Sequence, residues 1–165
     1  MVTNSLEATD VAVVHSGYAH WRQPLLAAGV DLHELKRAAA LPPVRERGMM
    51  GMGSSSTSSL HAKVFLMDRR HVFVGSFNFD PRSADLNTEM GFVIDSPALA
   101  GQMQRALRER VPARAYKVEL DKAGALHWIE QRPSGPVTHD TEPGTSFWQR
   151  SAVGVLSLLP IDWLL

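Results

Sequence analysis

His61-Ala62-Lys63-Val64-Phe65-Leu66-Met67-Asp68 joins an apolar strand pattern to a polar pair. Leu60–Met67 reads as a β-strand, because its branched and aromatic side chains suit a pleated, half-buried surface. Side chains on a strand alternate between faces. Ala62, Val64 and Leu66 therefore form a face for burial, while His61 and Lys63 project together from the other side. An imidazole and an ammonium side by side suit a bound phosphate. The lysine neutralises charge, and the histidine attacks phosphorus or delivers a proton.

The residues that follow extend this pattern. Asp68-Arg69-Arg70 reads as a turn and His71–Gly75 as a second strand, which makes a hairpin. In Gly75-Ser76-Phe77-Asn78-Phe79-Asp80, Ser76 and Asn78 share one face if the strand persists. A hydroxyl and an amide are neutral donors suited to phosphoryl oxygens. Asn87-Thr88-Glu89 leads into a third strand, Thr88–Ile94, whose Met90, Phe92 and Ile94 are expected in the core. Glu89 is suited to accept from a histidine ring nitrogen and so fix its tautomer. Each feature alone is ordinary strand alternation or a solvated face. Their occurrence in this order within 29 residues favours a phosphate-handling site.

The whole chain has 165 residues, a size for one domain with its own core. Apolar residues make up 44% and charged residues 21%, the balance of a folded protein. Lys+Arg and Asp+Glu both number 17, so no overall positive field favours a nucleic-acid partner. There is no cysteine, which excludes disulfides, thiolate metal sites and cysteine nucleophiles. Met1–Asp10 carries no basic-then-apolar leader pattern, and no apolar run reaches the roughly 18 residues of a membrane-spanning helix.

Thr3-Asn4-Ser5-Leu6-Glu7 reads as a polar cap with no strand before it. A helix is expected from Thr9 or Asp10 to about Ala28, ended by Gly29, and Val30–Leu35 reads as a short strand. Leu41–Ser59 is rich in Pro, Gly and Ser, and a flexible loop is expected over about 41–59. Ser96 is expected to cap a helix to about Arg110, with Pro97 in its first turn. Tyr116–Leu120 and Leu126–Gln131 read as a second hairpin, Arg132–Thr145 as a Pro/Gly loop, and Phe147–Leu159 as a helix within an apolar tail, about 147–165. Strands mixed with helices predict one α/β or α+β layered domain over residues 1–165.

With His61–Asp68, Gly75–Ser83 and Asn87-Thr88-Glu89 in hand, the chain resembles the phospholipase D superfamily. More narrowly, it resembles the C-terminal half of bacterial cardiolipin synthases of the type C subgroup. Thr3–Asp10, Gly17-Tyr18, Pro24–Val30 and Leu156–Leu165 carry the same likeness, so it extends over nearly the whole chain. The resemblance implies an α/β fold, a mixed β-sheet flanked by helices. It implies phosphodiester transfer on phospholipids through a phosphohistidine, with His61 as one of two catalytic histidines. Lys63 and Asn78 would bind phosphate, and Ser76 and Glu89 would support or orient a histidine. Asp68 completes the motif, with a mainly structural part. No metal and no organic cofactor is implied. The implied partners are a phosphatidylglycerol-like substrate and the membrane surface, at the cytoplasmic side of a bacterial inner membrane.

The chain departs from that family in one respect. A complete synthase has two such motifs with the site between them, whereas His15, His20, His33, His71, His127 and His139 all lack a lysine two residues on. Two expectations follow: the chain pairs with a missing N-terminal half, as the polar opening suggests, or with a copy of itself, as single-motif nucleases do. A silent fragment that completes a partner's site is a third. His15 and His20, five apart, do not share a helix face well enough to make a metal pair. Arg105, Arg108, Arg110 and Arg114 read first as a solvated helix face and second as contacts to anionic head groups. For Trp148–Leu165, core packing is the first reading and shallow membrane contact the second.

Overall fold

The computed structural model of the chain describes residues 1–9, 12–37, 63–77 and 87–156. His61, Asn78, the expected loop over 41–59 and residues 157–165 lie outside the described residues.

The elements are β1 (Val2–Asn4), α1 (Ala12–Ala19), α2 (Arg22–Ala27), β2 (Leu32–Leu35), β3 (Lys63–Met67), β4 (His71–Gly75), β5 (Gly91–Asp95), α3 (Pro97–Arg114), β6 (Ala115–Leu120), β7 (Leu126–Arg132), β8 (Gly135–His139) and α4 (Phe147–Leu156). They build two sheets among the described residues. The larger is mixed, in the order β1-β2-β6-β7-β8, with only the β1–β2 pair parallel. The smaller is the antiparallel meander β3-β4-β5. Helix α3 packs against β4 of the small sheet and against β2, β6 and β7 of the large one. This is the α/β arrangement expected from the sequence, with its strands divided between two sheets.

The β3–β4 hairpin turns through the three residues Asp68, Arg69 and Arg70, which follow the Met67–His71 pair. Asp68 and Arg69 both have positive φ, 53° and 54°, and the Arg70 N–H donates to the Met67 carbonyl at 3.0 Å. This is the mirror-image turn whose twist matches the flanking strands. Arg70 then makes a two-pronged pair with Asp95, at 2.7 Å for each contact, which ties the turn to the end of β5. The Ser96 hydroxyl accepts the Leu99 N–H at 3.2 Å, so α3 starts at the expected cap with Pro97 in its first turn. The helix runs on through Pro112 to Arg114, one turn beyond the expected end.

Four expectations need correction. The helix expected up to Ala28 is two helices, α1 and α2, with a break at His20 and Trp21. Pro24 favours it. In one continuous helix its missing N–H would leave the His20 carbonyl unpaired and its ring would press on that carbonyl, whereas it is tolerated in the first turn of α2. The opening residues are not a cap without a strand: Val2, Thr3 and Asn4 pair in parallel with His33, Glu34 and Leu35. Within the segment read as a loop from Arg132, Gly135–His139 is the edge strand β8, a position where Pro136 needs no ladder partner. Finally, Met90, Phe92 and Ile94 are not core residues. Met90 is 70% and Phe92 64% exposed: β5 is the edge strand, and helix α3 packs on the neighbouring strand β4.

The core lies on the large sheet, where Leu32, Val118 and Trp128 stand in one cross-strand row beside Tyr116. Tyr18 of α1 and Leu26 of α2 close it from above. α4 is amphipathic: Val153 is buried, and Phe147, Trp148 and Val155 are exposed. Trp148 is thus not a core residue, contrary to the first reading of the tail.

Candidate active site

One end of the small sheet gathers the polar residues. Lys63, the first residue of β3, stands directly opposite Gly75, the last of β4, and Gly75 stands opposite Gly91, the first of β5. Just beyond this row, β4 ends and Ser76 forms a bend, so the alternation expected through Ser76 stops there. Its backbone N–H donates to the Met90 carbonyl at 2.9 Å. Its hydroxyl accepts the Met90 N–H at 3.1 Å and donates to the Glu89 carboxylate. Glu89 therefore lies two residues ahead of β5, held by Ser76, rather than within a strand.

Lys63, Ser76 and Glu89 share this end of the sheet, and Lys63 and Glu89 are half-buried there. In the sequence, His61 is two residues before Lys63 and Asn78 is two after Ser76. Asp68 does not join them. It sits in the β3–β4 turn at the opposite end of the strands, beyond the Met67–His71 row, which is itself four rows from Lys63. An ammonium, a hydroxyl and a carboxylate at one sheet end can neutralise an anion, donate to it and orient a basic side chain.

Reading the sequence for polar groups missed the apolar part of this end. The Phe73 ring lies across both glycines of the Lys63 row. A Cβ built on Gly75 would meet it at 2.7 Å, and one built on Gly91 would meet it at 2.3 Å. Phe73 also stacks on Phe65, with ring centres 5.4 Å apart and an interplanar angle of 24°. The available signal was a glycine at the end of one strand and another at the start of the next.

A second polar cluster was also missed, and it is buried. Arg22, 4% exposed, donates to Glu34 at 2.7 Å and to Glu142 at 2.5 Å. It also donates to His15 Nε2 at 2.8 Å; a guanidinium has only protons to offer, so that nitrogen accepts. Glu34 takes two further hydrogen bonds, from the Tyr18 hydroxyl and the Trp128 indole, both at 2.9 Å. Burial opposes the Arg22 charge, yet Glu34 and Glu142 outweigh it and raise the guanidinium pKa further. Burial, followed by the Glu34 charge, pushes the Tyr18 phenol up. His15 thus belongs to a structural ion cluster. Among the described residues no group of three or more His, Asp or Glu side chains could hold a metal ion.

The chain is thus an α/β domain that gathers a lysine, a serine and a carboxylate at one sheet end, next in sequence to His61 and Asn78. The chain belongs to the family described as "Cardiolipin synthase, PLD-like domain", which matches residues 1–111. Strands β6–β8 and helix α4 follow the matched part. The chain is 46% identical to cardiolipin synthase C of Escherichia coli, over 100% of its own length and 34% of the relative's. It is 30% identical to an uncharacterized protein of Helicobacter pylori strain 26695, over 91% of this chain and 28% of that protein. A protein of strain J99 matches with the same identity and coverage. The chain thus spans about a third of the length of these curated relatives. No solved structure matches it.

Proposed function

We propose that this chain supplies one half of a site for phosphodiester exchange on phospholipids. The reading rests on the convergence of Lys63, Ser76 and Glu89 at the sheet end adjoining His61 and Asn78. A His61 ring nitrogen attacks phosphorus, and the bond to the leaving alcohol breaks. That alcohol takes a proton from an acid supplied by the other half. The acceptor's hydroxyl then attacks phosphorus, its proton returns to that same group, and the phosphorus–nitrogen bond breaks. Lys63 and Asn78 hold the non-bridging oxygens, which carry the most charge at the transition state. Glu89, fixed by Ser76, orients the imidazole. Asp68 serves the turn and takes no part in the transfer.

The substrate is a phosphatidylglycerol-like lipid, by analogy with what the E. coli relative is called. The missing half is the part of such relatives that this chain does not span. Among the described residues no helix is long and apolar enough to cross a membrane. The exposed Phe147, Trp148 and Val155 of α4 suit peripheral contact with the lipid surface, and Arg105, Arg108 and Arg110 are exposed on α3.

The test is complementation. The purified chain is mixed with the segment of E. coli cardiolipin synthase C outside the matched third, and exchange is followed on phosphatidylglycerol in mixed micelles. Exchange is expected from the mixture, and His61→Ala should abolish it while the circular dichroism spectrum stays unchanged. Full turnover in the His61→Ala mixture would overturn the reading. Full turnover by the chain alone, as a dimer, would replace the missing half with a second copy.

A further inference from the structure

We infer that Phe73 is a positioning residue for Lys63: its ring occupies the side-chain space of Gly75 and Gly91 and walls the lysine stem. The inference rests on the phosphate-binding role proposed for Lys63.

Lys63, Gly75 and Gly91 form one cross-strand row on a single face of the small sheet. Residues directly opposite in such a row have Cβ positions about 5 Å apart. A Cβ at Gly75 would meet the Phe73 ring at 2.7 Å, and one at Gly91 would meet two ring atoms at 2.3 and 2.4 Å. The ring tip therefore fills the side-chain space of Gly75, the residue directly opposite Lys63, and the ring edge fills that of Gly91, one strand further on. Phe65 lies two residues along β3 from Lys63, so it shares that face, and it stacks on Phe73 at 5.4 Å. One aromatic ring thus bounds the lysine stem from the neighbouring strand and another from its own strand.

A lysine has four methylenes to order, and holding it costs rotamer freedom. Two stacked rings against the stem restrict those rotamers before a ligand arrives, so less is lost when a phosphate binds. The glycines are the condition for this arrangement. Any side chain at Gly91 must displace the ring.

The experiment uses the whole chain with 13C-labelled lysine. Only Lys36, Lys63, Lys117 and Lys122 give signals, and Lys63→Arg assigns the one of interest. The probe is dihexanoyl-phosphatidylglycerol below its micelle concentration. In the wild-type chain the Lys63 methylene protons are expected upfield, shifted by the ring currents, and the probe is expected to bind. Phe73→Leu, which keeps an apolar filler, should remove the ring-current shift and weaken binding several-fold, up to about thirtyfold if all the rotamer freedom of a lysine is regained. Gly91→Ala should do the same by displacing the ring, and Phe73→Leu/Gly91→Ala should be no worse than either single change. Phe73→Tyr should restore both signals.

If Lys63→Ala abolishes binding but Phe73→Leu and Gly91→Ala leave binding and the Lys63 shifts as in wild type, the inference fails and the lysine's role stands. If the wild-type chain does not bind the probe, or Lys63→Ala binds it unchanged, the phosphate-binding role fails and the inference falls with it.

Discussion

The Ser76 hydroxyl donates to the Glu89 carboxylate while accepting the Met90 N–H at 3.1 Å. Ser76 is thereby used twice, once to close the β4–β5 ladder and once to hold a carboxylate at the lysine end of the sheet. The two roles separate on mutation. Glu89→Gln keeps an oxygen to accept from Ser76 but loses the charge that, in the proposed mechanism, stabilises an imidazolium. In the complemented exchange assay it should lower kcat by about 100-fold or more, in the range of lost acid–base catalysis, with an unchanged melting temperature. Ser76→Ala should lower kcat less and should also loosen the strand end. Glu89→Gln with wild-type kcat would remove Glu89 from the site.

Arg22 is the centre of the buried ion cluster, and its loss isolates Glu34. Arg22→Met keeps the apolar stem but leaves Glu34, fully buried, with only the neutral donors Tyr18 and Trp128. Removing one partner of a buried ion pair costs about 3–5 kcal/mol. Arg132→Met serves as control. That arginine pairs with Glu130 at 2.7 Å with its side chain 49% exposed, and such a pair contributes at most about 1 kcal/mol. Urea unfolding should separate the two variants widely. Equal midpoints would show that the cluster is not what holds α1, α2 and β2 together.

Much of the fold was legible because it is written in local patterns. The alternation of Val64, Leu66, Val72 and Val74 marks β3 and β4, and Asp68-Arg69 marks the turn between them. Ser96-Pro97 announces α3. The failures have physical causes. β1 is three residues long, and its evidence is a parallel pairing with residues about thirty positions away, which no local pattern carries. β8 contains Pro136 and Gly135, residues that signal a loop unless an edge strand is considered. Burial of Met90, Phe92 and Ile94 was inferred from alternation, but alternation tells which residues share a face and not whether anything covers it. The polar residues of the candidate site were legible as types. The Phe73 ring over Gly75 and Gly91 was not, because it depends on the register of two ladders.

Arg69 carries a left-handed backbone, φ 54°, without being glycine. That conformation costs an L-residue about 1–2 kcal/mol. Glycine removes the cost but gives back part of it through a more flexible unfolded chain, about 0.5–1 kcal/mol. Arg69→Gly should therefore stabilise the chain by up to about 1.5 kcal/mol. Thermal melts of the variant would read this as a small upward shift of Tm. A clear downward shift would mean that the Arg69 side chain stabilises the folded state by more than its backbone strain.

His127 supplies the pH-dependent prediction. Its Nδ1 is 2.9 Å from Asp140 and its Nε2 is 3.3 Å from Asp121, so both ring nitrogens face carboxylates. The hydrogen bond with Asp121, followed by that with Asp140, raises its pKa above the ordinary 6.5. The group is favoured in its charged form when folded. Its contribution to stability is fully present below the unfolded value near 6.5 and is lost as pH rises through the higher folded value. A proton NMR titration of the His127 ring should give a midpoint above 6.5. Asp121→Asn should lower that midpoint, and its remaining side-chain carbonyl can still accept the Ala123 and Ala125 N–H groups that Asp121 holds at 2.8 Å. The turn is thus kept while the charge is removed. A wild-type midpoint at or below 6.5 would show that neither carboxylate engages the ring in solution.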